Sequence, residues 1–409
     1  MGSTLPMLRL VHGGKRAMKV MDDSRPPTGF TIAAPQLFDG TAMRGPALVT
    51  ISCGLIESVS FGGPPSRGIT ALPADAILAP GFIDIQVNGG GGVLLNDEPS
   101  EARVRRIVEA HRKRGTTGCL PTLITDRTDV IERLAAVAPA SLQIPGVLGF
   151  HLEGPALNKA RKGIHLESEI RVPNERDLAA IKSFGRCGHS MVTLAPECVT
   201  TSLIDDLVGG GLRISAGHSD ATATQMKRAA DRGVTGVTHL FNAMSQLSSR
   251  DPGVVGAALD DERLFAGIIC DGLHVDPISL RVAVRCKGSD GLMLVTDAMP
   301  LVGTDQRDFL LQGRRILLQG DRLTGPDGTL AGAHLTMMQA VRNAVALLGV
   351  AVTDALRMAS RTPATFLGLE SRLGAIAPGY RADLVAFSSK FEVIETWVAG
   401  QPSLASSMP

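Results

Sequence analysis

The sequence predicts an α/β chain: a (β/α)8 TIM-like barrel with a small β-sandwich domain built from both chain ends. Three observations predict it. From Pro80 to about residue 370, apolar strand-like runs alternate with amphipathic helical segments, the pattern of a parallel sheet. Eight such runs are present, and five of them end in or lead into a residue able to bind metal or move protons, where a barrel keeps its chemistry. Short strand-like pieces with Gly and Pro turns flank this region on both sides.

The elements follow in order. Residues 1–28 mix charges among short apolar pieces and read as a disordered extension without a secretory leader. "FTIAAPQLFDG", "ALVTISCGLIESVSFG" and "ITALPADAILAPG" read as strands and give a first part of the small domain at 29–79. The barrel is expected over 80–370, with strands in "GFIDIQV", "GCLPTLI", "GVLGFHLE", "MVTLAPE", "LRISAGH", "GVTHLFN", "FAGIICDG" and "LMLVTDA". Between the first two, "EARVRRIVEAHRKRG" has apolar residues at helical spacing and Gly115 at its C-terminal stop. "RRILLQGDRLTG" suggests an additional hairpin at 314–325. "LGAIAPGYRADLVAFSSKFEVIETWVAG" returns to strands and completes the small domain over 371–402, before a loose Ser-rich end.

Composition narrows the function. The 409 residues hold 44% hydrophobic and 20% charged side chains, an ordinary soluble mixture. Lys and Arg number 41 against 40 Asp and Glu, so no net field draws the chain to nucleic acid or anionic lipid. No apolar run is long enough to span a bilayer. Aromatics at 3% argue against binding by ring stacking on long sugar chains or single-stranded nucleic acid. Six cysteines without a CxxC pair read as reduced thiols of a cytoplasmic protein.

Glu153 ends the third strand, His218 the fifth and His239 the sixth; His274 follows the seventh and Asp297 ends the eighth. Each alone reads as surface or satisfied core, but together they converge on one mouth of a barrel. Two imidazoles and a carboxylate make three ligands and leave a position open, as catalytic zinc sites do. A divalent metal there lowers the pKa of bound water to roughly 7, and Asp297 suits the general base. His151 shares a strand face with Glu153 and reads as barrel interior or support for a ligand, with direct ligation as the alternative. His12, His111 and His189 read as tail, polar helix and turn.

"PGFID", "HLEGP", "SAGHS", "THLFNAM", "DGLHVD" and "LVTDAM" occur in that order. Together, from about Gly29 to Gly400, they resemble the amidohydrolase superfamily, and within it the N-acetylglucosamine-6-phosphate deacetylases. The resemblance implies a metal-dependent hydrolase. It would remove acetate from N-acetyl-D-glucosamine 6-phosphate to leave D-glucosamine 6-phosphate, in amino-sugar catabolism or wall-sugar recycling. Some members carry His-x-His on the first strand and hold two metals; others carry Gln-x-Asn and work with one. Gln86 and Asn88 place this chain with the second group, and an amide is a poor divalent-metal ligand beside imidazole. One divalent metal per subunit is therefore expected, zinc first, with iron, cobalt or manganese as alternatives.

By motif match, Glu153, His218 and His239 are the expected metal ligands and Asp297 the base. His165 in "KGIH" resembles the histidine that contacts the acetamido carbonyl, and His274 one that contacts the sugar. Asn242 and Ala243 in "FNAM" match contacts near the phosphate. Arg250 in "SSRDPG" matches an arginine that reaches the phosphate of the neighbouring subunit in a homodimer, a task suited to its planar fork; a solvated loop residue is the alternative. Gly89 to Gly92 are no P-loop, since no GK[ST] follows, and serve either close backbone approach or a flexible turn. "LESE" follows "KGIH" where relatives often have Asn-Pro, and His334 stands where they have a small residue, either near substrate or on a loop. The alternatives are a deacetylase of another N-acyl amino sugar, such as N-acetylgalactosamine 6-phosphate, and a non-catalytic sugar-phosphate binding protein.

Overall fold

The structure is a computed structural model and describes residues 1–2, 29–62 and 69–403. The expected extension falls almost wholly on 3–28, outside the described residues, as does nearly all of the Ser-rich end. Eight parallel strands form one sheet, in sequence order around the barrel. They are β1 (Phe82–Val87), β2 (Thr116–Ile124), β3 (His151–Glu153), β4 (Met191–Leu194), β5 (Arg213–Ala216), β6 (Val234–Val237), β7 (Phe265–Ile269) and β8 (Leu292–Val295). All eight expected runs carry a strand, although β3 keeps only the last three residues of "GVLGFHLE". Every residue of β1 and β2 is buried, as strands covered on both faces must be.

The barrel closes where β8 meets β1. There Asp297 N donates to Gln86 O at 3.0 Å, and Val87 bridges Ala298. Below the mouth the interior is a polar layer. His151 Nε2 lies 2.7 Å from Thr193 Oγ1, which meets Thr238 Oγ1 at 2.7 Å, which meets Ser215 Oγ at 2.7 Å. His151 therefore bonds to neighbouring strands. Burial pushes its ring down to about 4, so it stays neutral.

Both chain ends build the β sandwich. One sheet pairs Leu55–Phe61, Ala47–Ser52, Gly29–Ala34 and Ile69–Ala71; the other joins Gln36–Phe38 and Ile77–Pro80 to Leu384–Phe387 and Val393–Val398 from the far end. Ile32, Val49, Ile51, Leu78, Leu384 and Trp397 pack between them. Where a hairpin was expected at 314–325, a three-stranded antiparallel sheet stands: β9 (Asp308–Leu311), β10 (Arg314–Gln319) and β11 (Arg322–Thr324).

Helix α1 (Glu101–Arg112) starts at Ser100, whose side chain accepts from Arg103 N, and buries Val104, Ile107, Val108 and His111. These positions form one stripe at helical spacing, with the histidine in its last apolar slot. His111, read from the sequence only as a residue of a polar helix, belongs to the buried stripe of that helix. The ring is fully buried because the glycine run packs on it, and Nε2 bonds Gly89 O at 2.9 Å.

Burial holds His111 down at about 4, below its ordinary 6.5. Between these values the unfolded chain binds a proton that the folded chain refuses, so stability falls as pH drops. The effect reaches about 3 kcal/mol below pH 4. His111→Gln keeps a donor toward Gly89 O without titrating. Urea midpoints from pH 7 to pH 4.5 should therefore fall more steeply for the native chain than for H111Q; parallel declines would refute the assignment.

Candidate active site

The site residues sit where the strands stop. Glu153 is the last residue of β3, whereas His218, His239 and Asp297 each lie two residues past the ends of β5, β6 and β8. These three have positive φ, 48°, 33° and 50°, in the left-handed region that non-glycine residues avoid. Such a conformation costs on the order of 1–3 kcal/mol per residue and is retained where geometry matters.

The donors converge. His239 Nε2 lies 3.1 Å from both Glu153 Oε1 and His218 Nε2, and His218 Nε2 lies 3.3 Å from the same Glu153 oxygen. His165 Nε2 stands 3.8 Å from Glu153 Oε2. One ligand atom each of Glu153, His165 and His218 falls within a 4.8 Å span. The structure thus brings a fourth donor, His165, to the three expected ones. His218 Nδ1 is engaged by Arg161 O at 2.8 Å, which leaves Nε2 to face the cluster. Two imidazole nitrogens and a carboxylate oxygen meeting in a buried space suit a divalent cation. The hydrogen bond and charge of Glu153 hold His239 above its ordinary value against the pull of burial, and the two histidines hold Glu153 well below the carboxylate range.

Asp297 faces this cluster. Its Oδ1 accepts Asn88 Nδ2 at 2.6 Å and Gln86 Nε2 at 3.1 Å, so the first-strand amides bind the carboxylate. Gln86 Nε2 also reaches both Glu153 oxygens at 3.4 Å. Burial, then the charge of Glu153, pushes Asp297 up to about 6. The glycines explain how Asn88 is held. Gly89 N donates to Ala298 O, and a Cβ on Gly89 would stand 2.6 Å from Val93 O and 2.9 Å from Pro300 N. Close backbone approach is the use of Gly89, whereas Gly91 and Gly92 supply positive φ for the turn.

A cavity of about 360 Å³ opens above, lined by these groups with Ile164, Asn242, Ala243, His274, Met299 and Leu330. His274 Nδ1 is fixed by Asp271 Oδ2 at 2.6 Å. Arg250 is exposed on a loop and does not line this cavity. His334 lines a separate groove with Lys113, Arg114 and Thr304. Sequence reasoning missed the residues that hold the loops. Glu197 accepts Asn158 Nδ2, Asp220 N and Ser219 Oγ, and Arg161 pairs with Asp220. No local motif marks them, since each acts on segments far away in the chain.

A barrel whose mouth gathers metal-binding side chains opposite a carboxylate defines a metal-dependent hydrolase. The amidohydrolase family matches residues 77–402, and the chain belongs to it. It is 43% identical over 354 residues to an N-acetylgalactosamine-6-phosphate deacetylase of Shewanella sp. (strain ANA-3), covering 86% of this chain and 89% of that one. It is 36% identical to an N-acetylglucosamine-6-phosphate deacetylase of Haemophilus influenzae, over 86% and 93% of the two chains. The crystal structure of the Pasteurella multocida N-acetylglucosamine-6-phosphate deacetylase superposes with a TM-score of 0.88 at 33% identity, covering 91% of this chain and 99% of that one.

His218→Asn and His239→Asn should each weaken divalent-metal affinity by more than about 100-fold, the upper range for loss of a mere supporting contact. His165→Asn and His274→Asn should keep their metal. Metal counted per chain after dialysis decides it; loss in H165N would make His165 a ligand.

Proposed function

We propose that the chain hydrolyses the acetamide of N-acetyl-D-glucosamine 6-phosphate to D-glucosamine 6-phosphate and acetate, using one divalent metal held by Glu153, His218 and His239. The observation that carries this reading is Asp297: a half-buried carboxylate facing the donor cluster with one oxygen engaged by two amides. A bound divalent cation, zinc first, supplies Lewis acidity toward water and the acyl carbonyl.

The chain's own residues do the rest. Asn88 and Gln86 occupy Oδ1, so Oδ2 is the oxygen that takes the proton from the attacking water and passes it to the departing amine. His165, held neutral by burial at about 3, donates a hydrogen bond to the acyl oxygen as charge develops there. His274 meets the sugar ring. Asn242 and Ala243 lie toward the phosphate, and Arg250 of a second copy completes its binding in a homodimer. An exposed arginine outside its own cavity fits that role.

One observation favours a second reading: the 43% identical relative is an N-acetylgalactosamine-6-phosphate deacetylase. The two substrates are epimers at C4, and the same machinery serves both.

Amine release from the two N-acetylhexosamine 6-phosphates, beside the unphosphorylated sugars, tests the reading. Rapid release from the gluco epimer supports it, release from the galacto epimer alone supports the second reading, and no release from either, with metal restored, refutes both. Asp297→Asn should lower kcat by about 10²–10⁴-fold, the range for lost acid–base catalysis, while substrate still binds. Arg250→Met should raise KM with kcat little changed, and sedimentation should show a dimer. Unchanged KM would remove Arg250 from the site.

A further inference from the structure

The sheet β9–β11 is an insertion after the last barrel strand, and it fastens onto the mouth at two points. Gln312 Nε2 donates to Thr125 O and to Asp126 Oδ2, both at 2.9 Å. Arg314 Nη2 donates to Ile164 O at 2.6 Å, one residue before His165. Among the described residues, Arg314 Nε is buried without a hydrogen-bond partner, and Nη2 makes the bond to this carbonyl. The Ile164 side chain packs on the same sheet, against a cluster that includes Leu311, Ile316 and Leu323.

His165 needs such an anchor. Among the described residues its Nδ1 is buried with no partner, its Nε2 is 3.8 Å from Glu153, and its backbone N bonds within its own turn, to Lys162 O. His218, by contrast, is oriented by a carbonyl on its own ring. The His165 ring packs edge-to-face on His218, at 4.4 Å between centroids, but no side-chain hydrogen bond among the described residues orients it, so its place depends on how its backbone is held. Arg161 anchors the start of that segment, and Arg314 holds the carbonyl next to His165. We propose that Arg314 is a positioning residue, which ties the segment 160–165 to the inserted sheet and so sets His165 against the acyl oxygen. The proposal rests on the deacetylase reading for its catalytic consequence, though not for the tether itself. The tether also bears on "LESE" after "KGIH": the loop is fixed from the sheet side, upstream of that departure.

The test uses the metal-loaded protein with Arg314→Met, Arg314→Lys, Gln312→Ala, His165→Asn and the double variant H165N/R314M. Metal content, thermal midpoint, kcat, KM and hydrogen exchange of residues 160–166 are measured for each. R314M should lose activity mainly in kcat, by up to about 10²-fold, since a 1 Å misplacement costs that much. Its metal content and thermal midpoint should stay near native. Lysine should restore most of the loss, because one ammonium can donate to one carbonyl. H165N/R314M should be no slower than H165N, and exchange at 160–166 should rise in R314M but not in Q312A.

A full additional loss in the H165N background would overturn the proposal, as would a drop in thermal midpoint matching the drop in rate. If the native chain releases no acetate yet R314M loosens 160–166, the tether stands and the deacetylase reading falls. Unchanged exchange sinks the tether whatever the activity.

Discussion

The seam between β1 and β8 is the constraint on which the rest of the structure depends. A barrel must close, and here closure relies on few ladder contacts. Asp84, fully buried on β1, accepts Thr296 Oγ1 at 2.5 Å and Thr296 N at 3.2 Å, and also receives its own strand's Gln86 N. Burial pushes this carboxyl up to about 7, and the hydrogen bonds from Thr296 and Gln86 work against that rise. The register it sets places Gln86 O on Asp297 N and the Asn88 amide on Asp297 Oδ1. A slip of one residue would turn Gln86 and Asn88 out of the mouth, since alternate residues face opposite sides.

That register gives the missing histidines a physical meaning. Imidazoles at 86 and 88 would offer lone pairs to a second cation beside Asp297. Amides offer N–H donors to the carboxylate instead. Asp297 is raised by burial and by Glu153, and the Asn88 hydrogen bond works against both. Gln86, within reach of both carboxylates, spans the space between them with one amide. The first strand thus supplies hydrogen bonds where a second metal would supply charge, the arrangement the proposed single-metal site calls for.

Much of this was legible in the sequence. The barrel could be read because fully buried parallel strands are apolar runs and their helices are amphipathic, two periods that do not resemble each other. Glu153, His218, His239 and Asp297 could be read because a barrel's order is its sequence order, so strand ends converge without any knowledge of contacts. What was not legible has physical reasons. Left-handed backbone at His218, His239 and Asp297 leaves no residue signature, since glycine is absent there. His111 looks polar, but the glycine run that buries it packs from the previous connection. The hydrogen bond from Arg314 to Ile164 joins residues 150 apart, and nothing near either position announces it. β3 keeps three residues, although Leu148 O and Phe150 O just before it still accept His189 N and Met191 N, and Gly149 leaves room for that close approach.

The site therefore divides by what holds each part. Glu153, His218 and His239 hang from strand ends braced by the polar layer of His151, Thr193, Thr238 and Ser215, and by Glu197 and Arg161 at the turns above. Of these braces, the contacts among His151, Thr193, Thr238 and Ser215 are buried and join neighbouring strands or the residues just past them. His165, Asn242 and Leu330 stand on connections, and the one held by Arg314 leans on a sheet outside the barrel. The donor cluster and Asp297 hang at or just past strand ends, whereas His165 and much of the rest of the cavity lining stand on the connections. Relatives with this fold that act on different epimers fit that division: the hydrolytic group is set by the barrel, so discrimination at C4 must come from the connections around the cavity.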